Sequence, residues 1–128
     1  MNKTLSAIAT ITVLSFSSIG SANAVDLAKG KKVYNKCRAC HTLVAGKHRI
    51  GPSLSGVFGR TAGTAKGYKF SKAMKKAGNS GLVWDVTTMS KFLVKPRKYI
   101  KGTKMSFAGL KKSSDIKNLV AFLKKAAK

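Results

Sequence analysis

The chain has 128 residues, with 26 lysines and arginines against three aspartates, a net charge of +23. That length suits one small domain with a limited core, and no repeat or long linker marks a second. So lopsided a charge points to an acidic partner surface and salt-sensitive encounters rather than to any particular fold. Nucleic acid is the other polyanion to consider, but no recognition module is visible, so no specific nucleic-acid binding is expected.

In chain order, Met1-Asn2-Lys3 is a short basic start, Leu5 to Ile19 is apolar, and Ala22-Asn23-Ala24 is a small-x-small cleavage pattern. This predicts a signal peptide over residues 1–24 and an exported, periplasmic domain over residues 25–128. The apolar stretch is short for a membrane span, which weighs against a retained anchor. Asp26 then opens a first helix with negative charge at its positive end. Leu27, Val33, Tyr34 and Cys37 recur at helical spacing, and Gly30 interrupts them at a cost of about 1 kcal/mol relative to alanine. A glycine there makes sense if another helix crosses closely.

At the end of that helix stands Cys37-Arg38-Ala39-Cys40-His41, which holds the only two cysteines. Two thiols three positions apart, followed at once by an imidazole, form the attachment signature of a c-type haem. Each thiol adds to one vinyl group of a single porphyrin, and the histidine projects from the same turn onto the iron. Three other readings compete. A disulfide-exchange pair needs a strand-helix alternation that the flanks lack. Zinc held by Cys37, Cys40, His41 and His48 would have unusual spacing. A plain disulfide leaves His41 without a role.

Turns marked by Gly51-Pro52, Gly56, Gly59, Gly63 and Gly67 fill residues 46–70. A short helix is predicted over Ser71 to Lys76, stopped by Gly78. Another follows Asp85, with Met89, Phe92 and Leu93 on one face, and Pro96 starts a further turn through Tyr99. The last helix follows Ser113-Ser114-Asp115, with Ile116, Leu119, Val120 and Leu123 as its apolar stripe. No alternating strand pattern appears, so the class expected is all-α, with the terminal helices crossing.

One histidine leaves the iron's second axial position to be settled. Met1 leaves with the leader, Met89 reads as core, and Met74 sits in a short helix. Met105 lies between Gly102-Thr103-Lys104 and Ser106-Phe107-Ala108-Gly109, an irregular loop that can bring a thioether to the iron. Methionine opposite histidine favours the ferrous state and raises the potential.

The chain resembles class I cytochromes c, near the mitochondrial cytochrome c and bacterial cytochrome c2 branch. The resemblance rests on Gly30-Lys31-Lys32-Val33-Tyr34, Cys37 to Thr42 and the run from Gly51 to Arg60. It continues through Lys95-Pro96-Arg97-Lys98-Tyr99-Ile100, Gly102-Thr103-Lys104-Met105 and Asn118 to Leu123. It implies short helices and long loops wrapped round one covalently attached haem c. It also implies His41 as proximal ligand with its ring N–H on the Pro52 carbonyl, and Met105 as distal ligand. Arg60, Trp84 and Thr103 would attend the haem propionates, Phe107 would cover the haem, and His48 would tie down a loop. Phe70, Met74 and Phe92 replace polar residues of the mitochondrial pattern, so a less hydrated pocket is expected.

The function so implied is a soluble periplasmic carrier of single electrons between membrane complexes, and not an enzyme. Lys36, Arg49, Arg97, Lys98, Lys104, Lys111 and Lys112 would surround the haem edge. There they would meet acidic partners such as a bc1-type reductase, a terminal oxidase or a photosynthetic reaction centre. Binding to an anionic membrane surface and a monomeric state are further expectations. The competing reading is a haem enzyme or gas sensor with a labile distal methionine.

Overall fold

The computed structural model describes Val13, Ser15 and residues 24–128. The expected leader, apart from Val13, Ser15 and Ala24, lies outside the described residues. No helix among the described residues is long and apolar enough to cross a membrane.

Five helices follow one another: α1 Leu27–Tyr34, α2 Lys72–Asn79, α3 Val86–Val94, α4 Pro96–Tyr99 and α5 Ser113–Ala126. Three have side-chain caps that the sequence carries openly. Asp26 accepts from the Lys29 N–H, and Ser71 from the Met74 N–H. Asp85 makes a capping box with Thr88. Pro96, at the first position of α4, loses no helical hydrogen bond. The only strand-like pairing among the described residues is an antiparallel bridge between Thr61 and Val83.

Helices α1 and α5 cross, as the glycine in α1 leads one to expect. A Cβ on Gly30 would run into the Asn118 carbonyl, with the carbonyl carbon 2.7 Å away. The Asn118 side chain accepts from the Asp26 N–H at 2.9 Å, and the Tyr34 and Phe122 rings meet at 5.6 Å. Leu119, fully buried, lies at the centre of the α5 stripe.

The α2 boundary differs from expectation. Gly78 does not stop the helix, which continues to Asn79. A Cβ there would collide with the Ala62 carbonyl, so glycine serves close packing against the 61–63 turn. The turn after the helix is made by Gly81, at φ +95°.

Candidate functional site

The haem signature follows α1 directly, in a run of turns through residues 35–40. The Cys40 and His41 N–H groups both donate to the Cys37 carbonyl, at 3.1 and 2.9 Å. The Tyr34 hydroxyl donates to the His41 carbonyl at 3.3 Å. Cys37, Cys40 and His41 thereby line one cavity of about 260 Å³. No disulfide joins Cys37 and Cys40, and before haem attachment burial, followed by neighbouring Cys40, pushes the Cys37 thiol up to about 11. Among the described residues no three His, Cys, Asp or Glu side chains converge as a metal site, which removes the zinc reading. His48 is engaged elsewhere: its Nε2–H donates to the Lys66 carbonyl at 2.8 Å, and its Nδ1 accepts from the Ser53 N–H at 3.0 Å.

The His41 ring is already oriented. Its Nδ1–H donates to the Pro52 carbonyl at 2.7 Å, so Nε2 keeps its lone pair toward the cavity. Burial holds its pKa below the ordinary histidine value, and the Pro52 bond opposes that shift. The neutral ring is the form that can ligate a metal. Gly51 lies against this ring, leaving no room for a Cβ.

Met105 lines the same cavity from the 102–109 loop. Three side-chain hydrogen bonds hold that loop. The Thr103 hydroxyl accepts from the Met105 N–H at 3.4 Å, and Arg97 Nε donates to the Met105 carbonyl at 3.5 Å. Lys104 Nζ reaches over to the Lys69 carbonyl at 3.0 Å.

Arg60, Trp84 and Thr103 also reach the cavity wall. The Arg60 guanidinium donates to the Ser55 and Ser53 carbonyls at 3.1 and 3.3 Å, and burial lowers its pKa. Trp84 is fixed beside it, because its backbone exchanges bonds with Arg60 O and Gly59 N. Phe70, Met74, Phe92 and Phe107 line the wall as well, and Phe92 packs on Trp84 at 5.0 Å. Of the basic residues expected at a docking face, all seven are exposed, and Lys36 and Lys104 reach the cavity rim. Ser71, Tyr68 and Leu54 also line the cavity, although the sequence reading gave them no part in the site. Ser71 was legible only as the start of a short helix, and nothing local marks the other two.

These residues suit a haem c. Two thiols and an oriented imidazole come from one turn, a thioether comes from a separate loop, and the wall is mostly apolar. A few donors, chiefly Arg60, Ser71 and Thr103, are available to carboxylates. The family model for cytochrome c matches residues 27–127. The chain belongs to the cytochrome c family. It carries one haem c, bound covalently through Cys37 and Cys40. A cytochrome c2 of Afifella marina is 50% identical over 99 residues, covering 77% of this chain and 80% of that one. A cytochrome c of Ulva intestinalis is 46% identical over 112 residues, covering 86% and 98%. Among solved structures, cytochrome cH from Methylobacterium extorquens superposes with a TM-score of 0.71. It is 42% identical, and the match covers 78% of this chain and 98% of that one.

Proposed function

We propose that this cytochrome c is a soluble one-electron carrier of the periplasm, with His41 and Met105 as the axial ligands of its haem iron. The observation that carries the reading is the pairing of side chains on one cavity. The His41 imidazole is locked by Pro52, and the Met105 thioether comes from a loop held at Thr103, Lys104 and Met105 itself. The haem, when bound, supplies an iron that takes up and releases one electron. With His41 and Met105 both holding the iron, no coordination position would be left for a substrate. The apolar wall around the two ligands keeps water out of both oxidation states.

The same reading assigns the exposed cations Lys36, Arg49, Arg97, Lys98, Lys104, Lys111 and Lys112 to docking. The partners so proposed are acidic redox proteins, such as a bc1-type reductase, a terminal oxidase or a photosynthetic reaction centre. The leader-like residues 1–24 support export and cleavage behind Ala24.

The test is the visible spectrum of the holoprotein, oxidised and reduced, with and without carbon monoxide. A ferric-iron-to-sulfur band and no response to carbon monoxide are expected. Carbon monoxide binding at neutral pH overturns the closed site and moves the enzyme or sensor reading ahead.

A further inference from the structure

Helices α3 and α5 pack together, and a groove of about 530 Å³ runs between them. It shares no lining residue with the cavity that holds His41 and Met105. Each helix divides its faces between the two spaces. Met89, Phe92 and Leu93 of α3 line the cavity, while Val86, Ser90 and Val94 line the groove. On α5, Leu119 and Leu123 line the cavity, while Ile116 and Val120 line the groove. The groove floor offers little to hydrogen-bond. Its Ser90 hydroxyl turns back on its own helix and donates to the Val86 carbonyl at 2.6 Å. Val25, Val86 and Val94 stay 47%, 46% and 54% exposed. Single exposed valines are ordinary, but three on one groove form a patch of the kind that marks a binding surface.

Length and charge narrow the occupant. Val86, Ser90 and Val94 recur every fourth residue, so the α3 wall runs for about 12 Å, a little over two helical turns. On the α5 wall Lys117 and Lys124 stand seven residues apart, about 10 Å, and Lys91 stands on the α3 wall. All three lysines are exposed, and no acidic side chain lines the groove. The carboxylates nearest in sequence, Asp26, Asp85 and Asp115, stand at helix starts, two of them as caps. A fatty acid carries its charge at one end. Cations spread along both walls match instead a ligand with carboxylates on either side of an apolar stripe, which is an amphipathic helix laid in a groove. A second copy of this chain would bring the same large excess of positive charge to the contact.

We propose that the α3–α5 groove docks an acidic amphipathic helix of a partner protein. The apolar stripe of that helix lies on the valines, and its carboxylates meet Lys91, Lys117 and Lys124. The groove uses no residue of the haem cavity, nor Lys36 or Lys104 at its rim. A partner held there can stay bound while the haem side meets a donor or an acceptor. The docking is independent of the axial ligation proposed above.

The test uses the holoprotein and two synthetic peptides of one composition. In the first, leucines recur at i, i+3, i+4 and i+7 between flanking glutamates; in the second, the same residues are scrambled and the charge is unchanged. Fluorescence anisotropy of the labelled peptides reads both affinities at physiological salt, where long-range attraction is screened. The striped peptide should bind about tenfold more tightly than the scrambled one. Val86→Ser with Val94→Ser leaves the charge unchanged and should remove that preference, whereas Lys36→Glu should keep it. If the double variant yields no holoprotein, Val94→Ser alone should reduce the preference. Equal binding of the two peptides overturns the proposal, and so does a preference undiminished in the valine variants. Valine-dependent binding of laurate, or a valine-dependent dimer, with no preference between the peptides gives the groove to an acyl chain or a second copy and overturns it too.

Discussion

The α1–α5 crossing and the loop shell over residues 41–70 and 102–109 are built on opposite principles. The crossing is protein against protein: Gly30 on Asn118, Tyr34 on Phe122, and Leu119 fully buried between the helices. The shell has no helix of its own and is joined by scattered side-chain and backbone hydrogen bonds, several of them to backbone carbonyls. His48 reaches Lys66, Tyr68 reaches Ile50 and Lys104 reaches Lys69. Leu54, Val57 and Phe107 line the cavity, and Tyr68 and Phe70, which line it too, meet edge to face at 4.8 Å. A chain this short cannot fill its own centre, so the covalent cofactor completes the core on the shell side, while the helix pair needs less help.

The largest effect should come from breaking the shell's dependence on haem. Cys37→Ala with Cys40→Ala removes both attachment points. The expected product lacks visible absorbance and a cooperative thermal transition, keeping at most residual helix by circular dichroism. A cooperative transition equal to that of the holoprotein would show that the shell closes without its cofactor. Breaking the crossing should cost less. Gly30→Ala puts a Cβ against the Asn118 backbone, so unfolding in denaturant should report a loss of about 2–3 kcal/mol. That loss would come despite the roughly 1 kcal/mol that alanine adds in helix propensity. Stabilisation by Gly30→Ala would mean that the helices can move apart freely.

Charge reversal at the rim sharpens the comparison, and at Lys36 it leaves both regions undisturbed. Lys36→Glu and Lys104→Glu should slow electron transfer to an acidic partner at low salt by about tenfold or less, and converge with wild type as salt screens the encounter. Stopped-flow rates against ionic strength decide this, and equal slowing at every salt concentration argues against steering. For Lys104→Glu the loop link to Lys69 is lost as well, so Lys36→Glu is the cleaner variant.

The smallest effect lies at a helix cap outside both regions. The Asp85 carboxylate is held below its ordinary value of 3.8, first by the Thr88 backbone N–H and then by the Thr88 side chain. A carboxylate with a lowered folded pKa stabilises the native state above its unfolded value. That contribution is lost as pH falls from 3.8 through the lower folded value. Asp85→Asn keeps a capping oxygen that does not titrate, so its melting temperature should fall less steeply over that acid range. Parallel acid limbs in the two proteins would remove Asp85 from the account.

Much was legible in the residues because its causes are local. A cap needs only a side-chain oxygen two or three residues ahead of an N–H, which is why Asp26, Ser71 and Asp85 mark helix starts correctly. The Cys37–His41 spacing places three haem-directed groups on one turn whatever surrounds it. The turn residues before Ser71 likewise foretold a helix-free stretch. Contacts between distant segments were not legible. Gly78 reads as a helix stop until the Ala62 carbonyl is seen pressing on it. Ser71 and Tyr68 carry no sign that their loops will fold over a shared cavity. Lys104 looks like any other lysine until its ammonium is found on the Lys69 carbonyl, 35 positions away. The sequence by itself determined the haem signature, the helix starts and the basic surface, since each depends on neighbours a few residues apart. Only the tertiary structure decided which methionines share the cavity, what locks the His41 ring and how the shell closes. Those depend on backbone groups meeting across long separations, and such meetings leave no local pattern in the chain.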